Sequence, residues 1–271
     1  MQFRLLLVIM LCIFLVACHK SEQKATGIPH VTVPSGGHPA IATIMSGHAV
    51  IVVNGPLFTN VWGVFVADRL TSSMKDTGGN VNTLDLTWEQ AVFTATDSFW
   101  HTTNTISVNN LPVARYHNWS FLYPDSTYAW DSTGLNHWEA RDASQAILAQ
   151  ADVNGFFPSY TGSLPDSIAT NSAYTLNLNA ADFANADSAQ LFVYSDYGLL
   201  YSKVASTQNG SLTIPQQQMA QMHNWEFNFN GGKFYGGLIK LVFFNHTLHF
   251  TAGKWYAYVN QREILRKVTF F

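Results

Sequence analysis

The sequence predicts an all-β chain: two tandem β-sandwich domains carried behind a short secretory leader and a tether. Three observations predict it. Apolar and polar residues alternate along much of residues 41–271, while the spacing of an amphipathic helix is nearly absent. Gly, Pro, Asn, Asp and Ser cluster between the alternating runs, as they do at turns between short strands. Charged residues make up 11% of the chain against about 25% in ordinary globular proteins, and aromatics reach 14%. Such a composition argues against a disordered chain, and a net charge of −3 with a pI near 6.3 supplies no basic field for nucleic acid.

The leader occupies residues 1–17: Arg4 gives a positive start, Leu5 to Val16 an apolar core, and Ala17 a small residue before Cys18. The apolar run is roughly a dozen residues, short of the ~20 needed by a membrane-spanning helix. Leu15-Val16-Ala17-Cys18 resembles the bacterial lipobox. That resemblance implies cleavage before Cys18, a diacylglyceryl thioether on its sulfur and a further acyl chain on its amino group. Several acyl chains on one residue make a stable anchor, because each buried methylene contributes about 0.8 kcal/mol. Cys12 leaves with the leader and Cys18 is acylated, so the mature chain is expected to hold neither a free thiol nor a disulfide. Residues 18–40, polar and broken by Gly27, Pro29, Pro34, Gly36 and Gly37, read as a tether. His19 after the cysteine departs from the inner-membrane retention signal and favours the outer membrane.

The first domain is expected over residues 41–154. His48 to Val53 is an apolar run ending at Asn54-Gly55-Pro56, and Trp62 to Ala67 reads as a strand buried on both faces. Thr71 to Asn82 reads as a loop, Leu84, Leu86 and Trp88 as a half-buried strand. Ile106 and Val108, then Leu111 and Val113, flank a turn at Asn109-Asn110. Trp119, Phe121 and Tyr123 share a strand face. Ala140 to Asp152 has helical composition and is expected to form a short helix or the crossing between domains.

Alternation is cleaner over residues 155–271. Tyr174, Leu176 and Leu178 share a face, as do Ala189, Leu191 and Val193. Leu212 and Ile214 end at Pro215, and Gln216 to Met222 fits one helical turn. Ile239, Leu241 and Phe243 precede a turn at Thr251-Ala252-Gly253-Lys254, Trp255, Ala257 and Val259 follow it, and Ile264 to Phe270 supplies a last strand. About seven short strands at this spacing predict an immunoglobulin-like sandwich, without the Cys-Trp-Cys signature. The run Phe157 to Asp166, the Ser211-Leu212-Thr213-Ile214-Pro215 segment, the Leu241-to-Asn245 strand and the Gly253-Lys254-Trp255-Tyr256 hairpin resemble the C-terminal Ig-like domain of uncharacterised Bacteroidota lipoproteins. That resemblance implies fold and cell-surface placement and carries no activity.

Candidate sites are few. Trp100, Trp119, Trp130 and Trp138 crowd the end of the first domain and, with His117, form the candidate ligand-binding set: aromatic planes beside a polar ring could stack on a sugar or peptide. The competing reading is that each tryptophan packs in a core. A His-Asn-Trp motif recurs at 117–119 and 223–225 and, permuted, at 136–138. His246 and His249 form an H-x-x-H, but in a strand positions three apart face opposite ways, so neither a shared metal nor any cofactor is expected. Asp125, Asp131, Glu139 and Asp142 are near in sequence, and turn roles suffice for Asp125 and Asp131. No G-x-S-x-G, G-x-G-x-x-G or Walker pattern occurs, so no catalytic residue is assigned. Four Asp-Ser triplets, at Asp125, Asp131, Asp166 and Asp187, resemble the acceptor motif of Bacteroidota O-glycosylation. The expectation is a non-catalytic lipoprotein, membrane-bound through Cys18, serving as a binding or structural module for a glycan or protein ligand. The alternatives are a glycan-binding accessory lipoprotein of an outer-membrane uptake system, of the SusE/SusF kind, and a hydrolase with an unrecognised site.

Overall fold

The computed structural model describes residues 31–32, 42–46, 49–53, 58–59, 62–93, 103–113, 115–116, 120–123, 130–195, 198–200, 204–208, 210–229 and 232–271. The leader, Cys18 and all of the tether except Val31–Thr32 lie outside them. Strands dominate: β1 (Val31–Thr32), β2 (Ala42–Ser46), β3 (Ala49–Val53), β4 (Phe58–Thr59), β5 (Gly63–Lys75), β6 (Val81–Phe93), β7 (Thr103–Val108), β8 (Leu111–Pro112), β9 (Arg115–Tyr116), β10 (Ser120–Tyr123), β11 (Leu135–Asp142) and β12 (Ile147–Asn154). Then come β13 (Ser159–Tyr160), β14 (Ser167–Ile168), β15 (Tyr174–Asn177), β16 (Phe183–Ala184), β17 (Ser188–Ser195), β18 (Gly198–Leu200), β19 (Val204–Ser206), β20 (Ser211–Ile214), β21 (Trp225–Phe229), β22 (Gly232–Thr251) and β23 (Lys254–Phe270). A single turn, α1 (Gln216–Met219), and a 3-10 turn at Ala180–Asp182 are the helical pieces among the described residues.

The fold is all-β, with sheets that do not close into a barrel. An eleven-stranded sheet follows the path β18-β17-β22-β23-β5-β6-β10-β9, and a separate four-stranded sheet runs β12-β11-β7-β8. The large sheet crosses the expected boundary at Asn154-Gly155. β23 lies parallel to β5 from Tyr256 beside Gly63 to Leu265 beside Ser72, so residues 41–154 and 155–271 share one hydrogen-bonded layer. Periodicity reports which face a side chain takes and is silent on which distant strand lies alongside.

Two cores nevertheless form, both on the same face of that sheet. At one end Phe65, Ala67, Ala91, Tyr256 and Tyr258 meet Ile106, Val108, Trp138, Ala140, Ala149, Ala151 and Val153 from the four-stranded sheet. At the other, Leu191, Val193, Ile239, Leu241, Phe243 and Val268 meet Leu164, Leu176, Leu212, Ile214 and Met219. Each fully buried Val, Leu, Ile, Met or Phe side chain among them contributes about 1.5–3 kcal/mol. The hairpin of β22 and β23, 20 and 17 residues long, runs past both cores and ties them together. Between the cores the chain crosses at Asn154–Phe157. There Asn260 Nδ2 donates to the Asn154 carbonyl and, at 3.5 Å, to that of Phe156. Gly155 is required at this crossing, because a Cβ on it would collide with the Asp131 carbonyl.

Several local expectations change. Ala140 to Asp152 forms neither a helix nor a crossing but the β11–β12 hairpin. Ala140, Ala149 and Ala151 are buried on its inner face, and Asp142 Oδ1 turns the chain by accepting from the amides of Ser144 and Ala146 at 2.8 and 2.9 Å. The Ser- and Thr-rich Thr71 to Lys75 extends β5, leaving only residues 76–80 as a loop. The Trp255 and Ile264 segments are one continuous strand. Asn109 and Asn110, with φ of 51° and 67°, make the tight turn expected of them.

Candidate binding surface

Of the aromatic set singled out in the sequence, Trp130 and Trp138 are core residues, 8% and 1% exposed. Their rings lie 6.2 Å apart, Trp138 packs 5.3 Å from Phe65, and Trp130 Nε1 donates to the Gly155 carbonyl at 2.9 Å. Neither presents a ring face to a ligand. Trp100, Trp119 and His117 lie outside the described residues. In its two described occurrences the His-Asn-Trp motif has structural work at the asparagine. Asn136 accepts from the Asp131 amide at 2.6 Å and donates to its carbonyl at 2.7 Å, and Asn224 makes the same two-way contact with the backbone of Phe270 at 2.9 Å.

His246 and His249 point to opposite faces of β22. His246 Nδ1 lies 2.9 Å from Asp187 Oδ2, and the His249 ring packs edge-on against Tyr258 at 5.2 Å. Among the described residues no three of His, Cys, Asp or Glu gather as a metal site would require. Asp131 caps a turn through Thr133, whose amide lowers its carboxyl below the ordinary range, and Asp142 does so chiefly through Ser144. Glu139 is held low by its hydrogen bonds from Arg141, at 2.5 and 2.7 Å. Asp125 lies outside the described residues. Of the Asp-Ser triplets, Ser132 and Ser167 are exposed, whereas Ser188 is hydrogen-bonded between Phe244 and Ser206 in an interior strand.

An aromatic surface does exist, at an end of the large sheet that the sequence reading did not single out. Phe250 and Trp255 face each other across the β22–β23 turn with ring centroids 5.2 Å apart, and Phe250 is 58% exposed. Ala252 and Gly253, with φ of 52° and 79°, close that turn tightly and bring the two rings together. Alongside, the Trp62 amide donates to the Trp255 carbonyl at 2.8 Å, and the Lys254 ammonium sits 3.6 Å from the centre of the Trp62 ring. The available signal was the Gly-Lys-Trp-Tyr turn, which places Trp255 beside a hairpin tip.

On the sheet face opposite the cores lies a buried polar row. Lys240 Nζ is 3.1 Å from both oxygens of Glu263, the two side chains being 2% and 1% exposed. Gln261 Nε2 donates to Asp68 Oδ2 at 2.5 Å, and the Lys240 ammonium lies 5.0 Å above Phe192. Burial, then the charge of Glu263, holds the Asp68 carboxyl well above the ordinary range. Burial alone would lower Lys240, but the charges of Glu263, Tyr194 and Asp68 outweigh it and raise it. Sealed from solvent, this row is an element of the interior rather than a place for substrate.

The arrangement defines an all-β, sandwich-type protein with an exposed aromatic turn. No protein-family model matches the chain, and no curated protein does. Among solved structures it is similar to a chain of a cytokine receptor complex (crystal form 2), 9% identical over 65% of this chain and 89% of that one, with a TM-score of 0.22. A likeness this weak carries no argument.

Proposed function

We propose that the chain is a non-catalytic lipoprotein of the bacterial envelope, anchored in the outer membrane or at the cell surface by palmitate-type acyl chains on Cys18, and that its Ig-like β-sandwiches serve as a binding module. The observation that carries the binding reading is the aromatic turn: Phe250 and Trp255 are presented at the exposed end of a stiff sheet, with the Trp62–Lys254 pair beside them. Exposed aromatic clusters mark interaction sites, and rings held on adjacent strands suit stacking on the apolar face of a sugar. That same observation favours the glycan-binding alternative over a purely structural role. The lipobox supports the anchor.

Two measurements test it. Cys18→Ser is expected to move the protein from the membrane to the soluble fraction, and its persistence in membranes would refute the anchor. On a glycan array, wild-type binding should be lost in Trp255→Ala; silence of the wild type, or binding indifferent to Trp255 and Phe250, would refute the surface.

A further inference from the structure

We propose that the saddle between the two cores binds a single oxyanion, a carboxylate, phosphate or sulfate group, on the guanidinium of Arg262. The site is separate from the aromatic turn and does not depend on it. Along β23, Tyr256 and Tyr258 belong to one core and Ile264 and Val268 to the other, so Asn260 and Arg262 occupy the gap on the same face. On β5, Arg69 follows Ala67 out of the first core and is the direct neighbour of Arg262 in the parallel pair. Two like charges side by side in a sheet repel and call for an anion between them.

Asp85, the carboxylate that feels both guanidiniums, is claimed by one of the two. Asp85 takes Arg69 in a bidentate pair, Nε to Oδ1 at 2.9 Å and Nη2 to Oδ2 at 2.6 Å. Arg262 feels Asp85 only through space, and its buried Nε has no acceptor among the described residues. On the other flank, β22 offers the apolar Phe243. Burial, then the charge of Arg69, lowers Arg262 from its ordinary value, as expected of a cation short of counter-charge. A guanidinium is the side chain best shaped for forked contact with an oxyanion.

The test is calorimetric titration of inorganic phosphate, and separately of acetate, into the detergent-solubilised full chain at constant ionic strength. Saturable one-site binding is expected for at least one of them: phosphate alone assigns a tetrahedral anion, acetate alone a carboxylate. Arg262→Gln should weaken the affinity by roughly tenfold or more, and Arg262→Lys, which keeps the charge but loses the fork, by less. Asp85→Asn removes the competing carboxylate and frees Arg69, and should tighten binding severalfold. Circular dichroism establishes that each variant folds. Absence of saturable binding with both anions would overturn the proposal, as would unchanged affinity in folded Arg262→Gln or equal weakening by Asp85→Asn.

Discussion

Replacing Lys240 by Met tests whether the buried polar row is built as described. The ammonium lies 3.1 Å from both Glu263 oxygens, with both side chains almost fully enclosed. Methionine fills a similar volume and keeps the contact with Phe192, so the main loss is the counter-charge of Glu263. Removing one partner of a buried ion pair costs about 3–5 kcal/mol, because the other charge is left uncompensated. Gln261 Nε2, 3.5 Å from Glu263 Oε1, is too distant to offset much of this. The lower end, about 3 kcal/mol, is expected because methionine keeps the packing of the site. With a urea m-value of about 3 kcal/mol/M, the midpoint falls by about 1 M. Adding Glu263→Leu should restore stability to within about 1 kcal/mol of wild type, since an ion pair and a packed apolar pair are often equivalent. A single variant within about 0.5 kcal/mol of wild type at every pH would refute the enclosed pair.

Two further outcomes follow from the same interior. Because the folded value of Asp68 is raised, its contribution is fully present below the unfolded carboxyl value of about 3.9 and is lost as pH rises toward the folded value, at about 1.4 kcal/mol per pH unit. Asp68→Asn, which still accepts from Gln261, should remove that slope in urea titrations across pH; an unchanged slope would exclude Asp68 as its source. Tyr258 stacks on Phe65 at 4.7 Å, while its buried hydroxyl finds no partner among the described residues. Tyr258→Phe should therefore raise stability by up to about 1 kcal/mol in thermal unfolding, and a loss of that size would reveal a hydrogen bond to the hydroxyl.

The strands were legible wherever one face is buried and the other wet. Tyr174, Leu176 and Leu178 alternate because β15 covers a core, and Asn109-Asn110 announces its turn by chemistry alone. Two kinds of information were not legible. One is propensity overruled by packing: the alanines of 140–152 favour a helix locally, yet the small size of Ala140, Ala149 and Ala151 lets the four-stranded sheet lie close against Phe65 and Tyr258. The other is pairing at long range, since nothing in Trp62 to Lys75 signals that its neighbour is the last strand of the chain.

The candidate sites divide along the same line. Trp130 and Trp138 stood out by crowding in sequence, but the alternation that places Trp138 beside Asn136 and Ala140 on the inner face of β11 also buries it. Trp255 and Phe250 are separated by four residues, and only the tightness of the turn at Ala252-Gly253 makes them one surface. Arg69 and Arg262 are neighbours solely because β5 and β23 run parallel. In a chain with so few charges, bringing two arginines together while giving one of them no acceptor is hard to attribute to stability, because an apolar residue would serve the sheet better at either position. Parallel pairing therefore does more here than join two cores: it sets two arginines side by side and leaves the buried Nε of one without an acceptor.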